Sequence, residues 1–533
     1  VKVYDYIVVG SGFGGSVSAM RLSEKGYSVL VIEEGKWYRD EDYPKTNNNL
    51  FRYFWFPNIF CRGYQRINFF RHLAALGACG VGGGSINYAN TLLKPQKEFF
   101  NSTDFPKGTD WQAELRRFYE TGSYMLGKTV NPEMTAIDEV LKNCAHQIGR
   151  GDTFYPVDVG VFFGEPEVTV PDPYFGGEGP ERTGCNMCAG CMTGCRIGAK
   201  NMLLKNYLFF AMKYGAEIVP ERKAVDIVRK DDYYEVITKR STSILFKRKK
   251  TYAAKNIVLS AGVIGTLKLL FNLKYKSRLQ ISDRLGTSVR SNSESLIGVR
   301  KKGKDVNFAE GIAITSGLYI DKSTHIEGVR YEKGSNGMSI ISTLLTDKKK
   351  GVWRPLTMLK NIARHPFRML RMLNPVGWAR EVIILLVMQT VDNKIRLIGR
   401  KKIFGGVRLK SGLEPGYDRT PVYIPRANDF AKRLAENIGG TPMSCLDEVF
   451  FDTPLTAHIL GGCSMGKSAD DGVVDSEQRL FGHDDFYIAD ASVIPANPGV
   501  NPALTIIAMT ERAMDKIPPN NRNKIERMGI EKR

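Results

Sequence analysis

Three groups of residues in this chain have the types and spacing to do chemistry. The first is His458, one of only six histidines in 533 residues, set in "TAHILGGCSMG" (456–466). An imidazole titrates near neutrality, so it can act as a general acid or base. The second is Gly10, Gly12 and Gly15 in "GSGFGG", a G-x-G-x-x-G run between a strand pattern and a helix pattern. There the first glycine permits the turn, the second lets backbone approach a pyrophosphate, and the third lets the helix pack on the strand. The third is "CNMCAGCMTGC" (185–195), which places Cys185, Cys188, Cys191 and Cys195 at C-x2-C-x2-C-x3-C spacing.

The nucleotide reading extends beyond the fingerprint. Glu33 ends the second strand about 20 residues on, where an acid can hold ribose hydroxyls. A second loop, "GACGVGGGSINYAN" (77–90), contains Gly82, Gly84, Ser85 and Asn87 and is too bare for ordinary packing. Such a backbone can lie against a large ring or a second phosphate, which a nicotinamide dinucleotide does not require. Near the C-terminus Asp490 closes a strand, placed to hold a sugar or ribityl hydroxyl. Asn501-Pro502 precede a helix whose N-terminus can face negative charge on a reduced ring.

The cysteine spacing is that of bacterial ferredoxins without the closing proline. In that pattern the fourth cysteine serves a second cluster, and no second run exists here. Zinc and purely structural thiols stay open beside an iron–sulfur centre. No metal ligand is assigned among the site residues.

"GSGFGG", "GVGGGSINYAN", "TAHILGGCSMG" and "ADASVIPANPGVNPALTIIAMTERA" together resemble the glucose-methanol-choline (GMC) oxidoreductases, over about residues 4–517. "EDYPKTNNNLFRYFWFP", "THIEGVRYEKGSNGMS" and "VMQTVDN" resemble the family's bacterial sterol-oxidising branch. The resemblance implies bound FAD, with Gly10, Gly12, Gly15 and Glu33 on the ADP half. It puts Gly82, Gly84, Ser85 and Asn87 along the pyrophosphate and flavin, and the backbone of Val225 at the adenine. Asp490, Asn501 and Pro502 then lie toward the ribityl and the ring. His458 and Asn501 become the catalytic pair, with hydride passing to flavin N5 and O2 reoxidising the cofactor. The implied substrate is a hydrophobic secondary alcohol, a 3-hydroxysteroid such as cholesterol. Sterol oxidases of this kind also use a carboxylate to move a double bond; Glu310, Asp392 and Glu414 are candidates by region. Two alternatives stand beside this reading. One is a dehydrogenase of the same family feeding an electron carrier through an iron–sulfur centre. The other is a sterol- or membrane-binding protein without activity.

These residues need elements to hold them. "YDYIVVG", "SVSAMRLSEKG" and "YSVLVIE" predict strand, helix and strand at 4–34. Strands with hairpins are predicted at 216–240, strand then helix at 255–273, and strand, loop and long helix at 486–517. The simplest architecture is α/β: a discontinuous Rossmann-like FAD-binding domain (1–98, 181–300, 448–517) with an inserted α+β substrate-binding domain (99–180, 301–447). Residues 518–533 read as a frayed tail. The formal charge of +20 favours acidic partners, but no nucleic-acid-binding module is visible. Residues 351–380 contain six basic residues and no acidic one. Leu356, Leu359, Ile362, Phe367, Leu370 and Leu373 recur at helical spacing around a break at Pro366. Lys360, Arg364, Arg368 and Arg371 share the other side. This predicts an interfacial helix pair on an anionic membrane, with Trp353, Phe367 and Trp378 as anchors. No signal segment or span-length apolar run is apparent, so a cytoplasmic or membrane-peripheral location is expected.

Overall fold

A computed structural model describes residues 2–244, 247–403 and 405–520. The strand Val3–Val9 pairs in parallel with Val29–Ile32, and the helix Phe13–Glu24 connects them. These strands are apolar without alternation because both sheet faces are covered. Ile7, Val8, Leu30 and Val31 are all fully buried, each worth roughly 1.5–3 kcal/mol of transfer free energy.

Lys249–Leu259 is the strand that unites the chain. One edge pairs in parallel with Val3–Val9, with Val9 opposite Leu259. Its other edge carries Tyr234–Arg240 along the first half and His483–Ile488 at the end, with Leu259 opposite Ile488. The two ends of the sequence therefore meet across one strand. The C-terminal helix Ala503–Asp515 packs on the helix Phe13–Glu24 from one side and on Trp111–Met125 from another.

A second sheet of seven strands is antiparallel throughout, in the order Ser342–Leu344, Thr441–Cys445, Ser295–Arg300, Val382–Gln389, Thr324–Val329, Ile314–Tyr319, Tyr155–Pro156. Ile297, Val299, Ile326, Leu385 and Val387 face the helices Ala136–Gln147 and Pro425–Ile438. Alternation along the strand sends His325 and Glu327 to the opposite face.

The two cores cut the chain differently from the expected boundaries. Phe99, Phe105, Trp111, Leu115 and Phe118 join the nucleotide-side core, as do Ile395, Leu397 and Leu409 of the hairpin Ile395–Lys401/Val407–Leu413. Ser295–Arg300 belongs to the second sheet. Of the expected tail, Pro518 accepts a hydrogen bond from the Tyr27 hydroxyl, and residues 521–533 lie outside the described residues.

Candidate active site

Gly10 has φ +101°, and a Cβ there would stand 2.2 Å from the Ser260 carbonyl oxygen. At Gly15 it would stand 2.0 Å from the Gly10 oxygen. Only Gly12 opens outward: its Cβ would meet nothing nearer than the Gly83 Cα at 4.0 Å. The two glycine loops thus face each other, with Gly12 bare toward the space between them. Glu33 braces this arrangement from below. Its carboxylate accepts from Ser11 N (3.1 Å), Ser11 Oγ (2.7 Å) and Gly35 N (2.7 Å), and Ser11 Oγ in turn accepts from Gly82 N (3.1 Å).

Gly82 (φ +100°) begins the 3-10 turn Gly83–Ile86, and a Cβ on Gly84 would stand 3.2 Å from the Phe13 ring. Ser85 Oγ donates to the Gly82 carbonyl (2.7 Å) and accepts from Leu203 N (3.1 Å). Asn87 is held by Gln65 at 2.6 Å. Val225 is the extra residue of a β-bulge, because the register steps from Ala224 opposite Thr238 to Asp226 opposite Ile237. The bulge leaves Val225 without a cross-strand partner on that edge. Asp490 accepts from Thr266 Oγ1 (2.6 Å) and Ser492 N (2.8 Å), tying the strand end to the helix Gly262–Tyr275.

This geometry fits a dinucleotide. The helix Phe13–Glu24 has no side-chain cap and no acid in its first turn, and the same holds for Ala503–Asp515, which Pro502 begins. Both N-terminal dipoles are therefore left for an anionic or electron-rich group.

His458 lies in the loop after Leu455–Thr456, a short strand paired in parallel with Ala74–Ala78. Its side chain is 11% exposed, and Nδ1 stands 2.5 Å from Glu294 Oε1. Glu294 also accepts from Ala457 N (3.0 Å) and is buried at the start of the strand Ser295–Arg300. A carboxylate can only accept here, so in the neutral ring Nδ1 carries the proton and Nε2 keeps its lone pair. Burial works against the imidazolium. The adjacent Glu294 carboxylate, with Glu327 farther off, outweighs it and holds the His458 pKa above its ordinary value.

Across the site Asn501 Nδ2 donates to Glu327 Oε2 at 3.3 Å. Glu327 is fully buried, and burial pushes its pKa up to about 7 against the opposing pull of Asn501 and His458. Glu327 Oε1 and Asn501 Oδ1 are buried without a hydrogen-bond partner among the described residues. Buried polar atoms are normally satisfied, so these two are set for a polar ligand. Asn292 completes the frame by donating to the Val500 carbonyl at 2.9 Å.

The structure places His458 and Asn501 at one site, each bonded to a carboxylate that the sequence reading did not single out. The signal for Glu327 was present: an acid inside the apolar strand pattern "THIEGV". The regional candidates are engaged elsewhere. Asp392 pairs with Arg290 (2.8 Å), Glu414 with Arg396 (2.8 Å), and Glu310 with Asn307 on the surface.

Comparison with known proteins decides the lineage. The GMC oxidoreductase profile matches residues 180–275 and 428–510, and an NAD(P)-binding Rossmann-like profile matches 8–68. The chain is 44% identical to a cholesterol oxidase of Acinetobacter baumannii, over 97% of this chain and 94% of that protein.

The chain belongs to the GMC oxidoreductase family.

A cholesterol oxidase of Mycobacterium tuberculosis is 43% identical over 96% of this chain and 90% of its own length. The fold is shared with pyridoxine 4-oxidase from Mesorbium loti, with TM-score 0.64 and 15% identity over 96% of this chain and 98% of that one. As a GMC oxidoreductase the chain is an FAD-dependent enzyme that oxidises CH–OH donors.

Proposed function

We propose that this enzyme oxidises the 3-hydroxyl of a steroid such as cholesterol, with O2 as final acceptor. The observation that carries the reading is the buried pairing of His458–Glu294 with Asn501–Glu327, in a chain 43–44% identical to two cholesterol oxidases. Gly10, Gly12, Gly15, Glu33 and Val225 hold or brace the ADP half of FAD. Gly82, Gly84, Ser85, Asn87, Asp490, Asn501 and Pro502 hold the rest. FAD supplies the acceptor for the hydride that leaves the carbinol carbon.

The side chains manage protons. His458 Nε2 takes the hydroxyl proton, Glu294 stabilises the imidazolium that forms, and Asn501 orients the alcohol oxygen. General-base help of this kind is worth about 10²–10⁴-fold. Glu327, titrating near neutrality, can take a proton beside the new ketone and return it at another carbon. It is therefore the carboxylate that moves the steroid double bond.

The basic stretch supports an enzyme that meets its substrate at a membrane. Arg354–Arg364 and Pro366–Leu373 are helices, broken where Pro366 removes an N–H donor. Leu356, Leu359, Phe367 and Leu370 are 52–74% exposed and have no core to join. Lys360, Arg364, Arg368 and Arg371 are exposed beside them. Trp353, 62% exposed, contacts Phe450. Trp378 is not an anchor: it is 1% exposed in the core against the second sheet. No helix among the described residues is long and apolar enough to cross a bilayer, so the contact is peripheral.

An anaerobic visible spectrum, titrated with a 3β-hydroxysteroid and then opened to air, tests the function. Flavin bands that bleach and return in air support it. Bands that do not bleach exclude the sterol, and bands that stay bleached in air exclude O2 as the acceptor.

A further inference from the structure

Cys185, Cys188, Cys191 and Cys195 line one cavity of about 20 Å³, room for one water and not for a metal cluster. Among the described residues no three metal-ligating side chains are grouped to hold an ion either. His325 is different. It is fully buried on the same face of the strand Thr324–Val329 as Glu327. A histidine inside an apolar strand is costly unless its polar atoms are matched. Here Nε2 meets the Tyr155 hydroxyl at 2.8 Å, while Nδ1 is buried without a partner among the described residues.

The fold sets this histidine beside the active site. Gly317 stands directly opposite Glu327 in the strand register. A Cβ on Gly317 would come 2.7 Å from His325 Nε2 and 3.1 Å from the Tyr155 hydroxyl oxygen. The imidazole and the phenol therefore meet over the gap that this glycine leaves next to Glu327. Tyr319, opposite His325, holds its ring 4.7 Å from the imidazole and fixes it in place. Two residues on one strand face lie roughly 6.5 Å apart, a span that a single bridging water can close. It would run from His325 Nδ1 to Glu327 Oε1, which also lacks a partner among the described residues. At the far end Tyr155 lies on the edge strand Tyr155–Pro156 and is partly exposed. The order from inside outward is Glu327, His325, Tyr155, solvent.

Glu327 needs such a path. It is 0% exposed and its pKa is about 7, so near neutral pH it carries a proton much of the time and must shed it to act as a base. A steroid seated against His458 and Asn501 covers the approach from that side. We propose that Glu327 exchanges its proton with solvent through His325 and Tyr155 while a steroid occupies the site. The Glu327 proton passes by way of the bridging water to Nδ1, the proton on Nε2 passes to the Tyr155 oxygen, and the hydroxyl proton leaves to bulk water. Glu327 ends as a carboxylate, bulk water gains the proton, and nothing is oxidised or reduced. Burial pushes the His325 pKa down to about 3, so the ring stays neutral and transmits by changing which nitrogen carries the proton. The relay rests on the reading of Glu327 as the carboxylate that moves the steroid double bond.

The test is isomerisation of a preformed β,γ-unsaturated 3-ketosteroid by the full FAD-loaded chain in D2O. Deuterium in the conjugated product is located by mass spectrometry and proton NMR, with short incubations and an enzyme-free blank to correct for spontaneous exchange. The native enzyme should place solvent deuterium at the carbon that receives the proton. His325→Phe and Tyr155→Phe should lose most of that label and hand the substrate's own hydrogen across instead. The label is counted per product molecule, so a variant that folds poorly lowers the yield and not the ratio. Native product carrying only substrate hydrogen would overturn the relay, as would unchanged label in both variants. If the native enzyme leaves the ketone unconjugated while a 3β-hydroxysteroid still bleaches its flavin, the reading of Glu327 fails and the relay falls with it.

Discussion

Replacing Glu294 by Gln tests the catalytic base through the group that tunes it. The substitution keeps shape and burial but removes the charge 2.5 Å from His458 Nδ1. Two unit charges about 4 Å apart interact by about 4 kcal/mol at an effective dielectric of 20. Burial, which works the other way, stays in place. The His458 pKa must therefore fall. His458 acts as a base only when neutral, so kcat/KM in the native enzyme rises with pH through that raised pKa. In Glu294→Gln the rising limb should move to lower pH. The amide must also set an N–H against Ala457 N or against Nδ1, which spoils one of two hydrogen bonds. Plateau kcat/KM should drop by about 10²-fold or more. The assay is anaerobic flavin reduction by a 3β-hydroxysteroid across pH, with FAD content as control. An unmoved limb with activity within threefold of native would refute the assignment of His458 as a base tuned by Glu294.

Glu327→Gln should leave flavin reduction within about tenfold of native, the low end of general-base effects being larger, while the ultraviolet band of the conjugated enone fails to appear. Equal loss of both reactions would make Glu327 part of the oxidation step instead. Gly12→Ala should leave the fold intact, since the new methyl meets only open space at φ −71°, yet abolish FAD retention. Gly10→Ala should instead destabilise the protein by roughly 3 kcal/mol or more, from positive φ and a clash with a backbone oxygen. Melting curves and bound flavin distinguish the two. Replacing Arg364, Arg368 and Arg371 together by Ser removes about 1 kcal/mol of attraction per residue. Binding to anionic vesicles should then weaken roughly 100-fold with no change on neutral ones, measured by co-sedimentation.

What the sequence determined by itself is local. The glycine fingerprint, the strand–helix–strand around it, the cysteine spacing and the amphipathic basic stretch are patterns of a few residues each. Their backbone and side-chain requirements are satisfied within one or two elements, so residue type and spacing reveal them. His458 and Asn501 were singled out through the family resemblance carried by their loops. The tertiary structure decided which acids serve them. Glu294 lies 164 positions from His458, and Glu327 lies 174 from Asn501. With 56 acidic residues in the chain, only strand register in the second sheet selects these two. It also decided that Trp378 is core rather than anchor, that 99–126 and 395–413 pack on the nucleotide side, and that Cys195 rejoins its neighbours. In each case the deciding quantity is burial, which depends on contacts between segments far apart in the chain and leaves no local period to read.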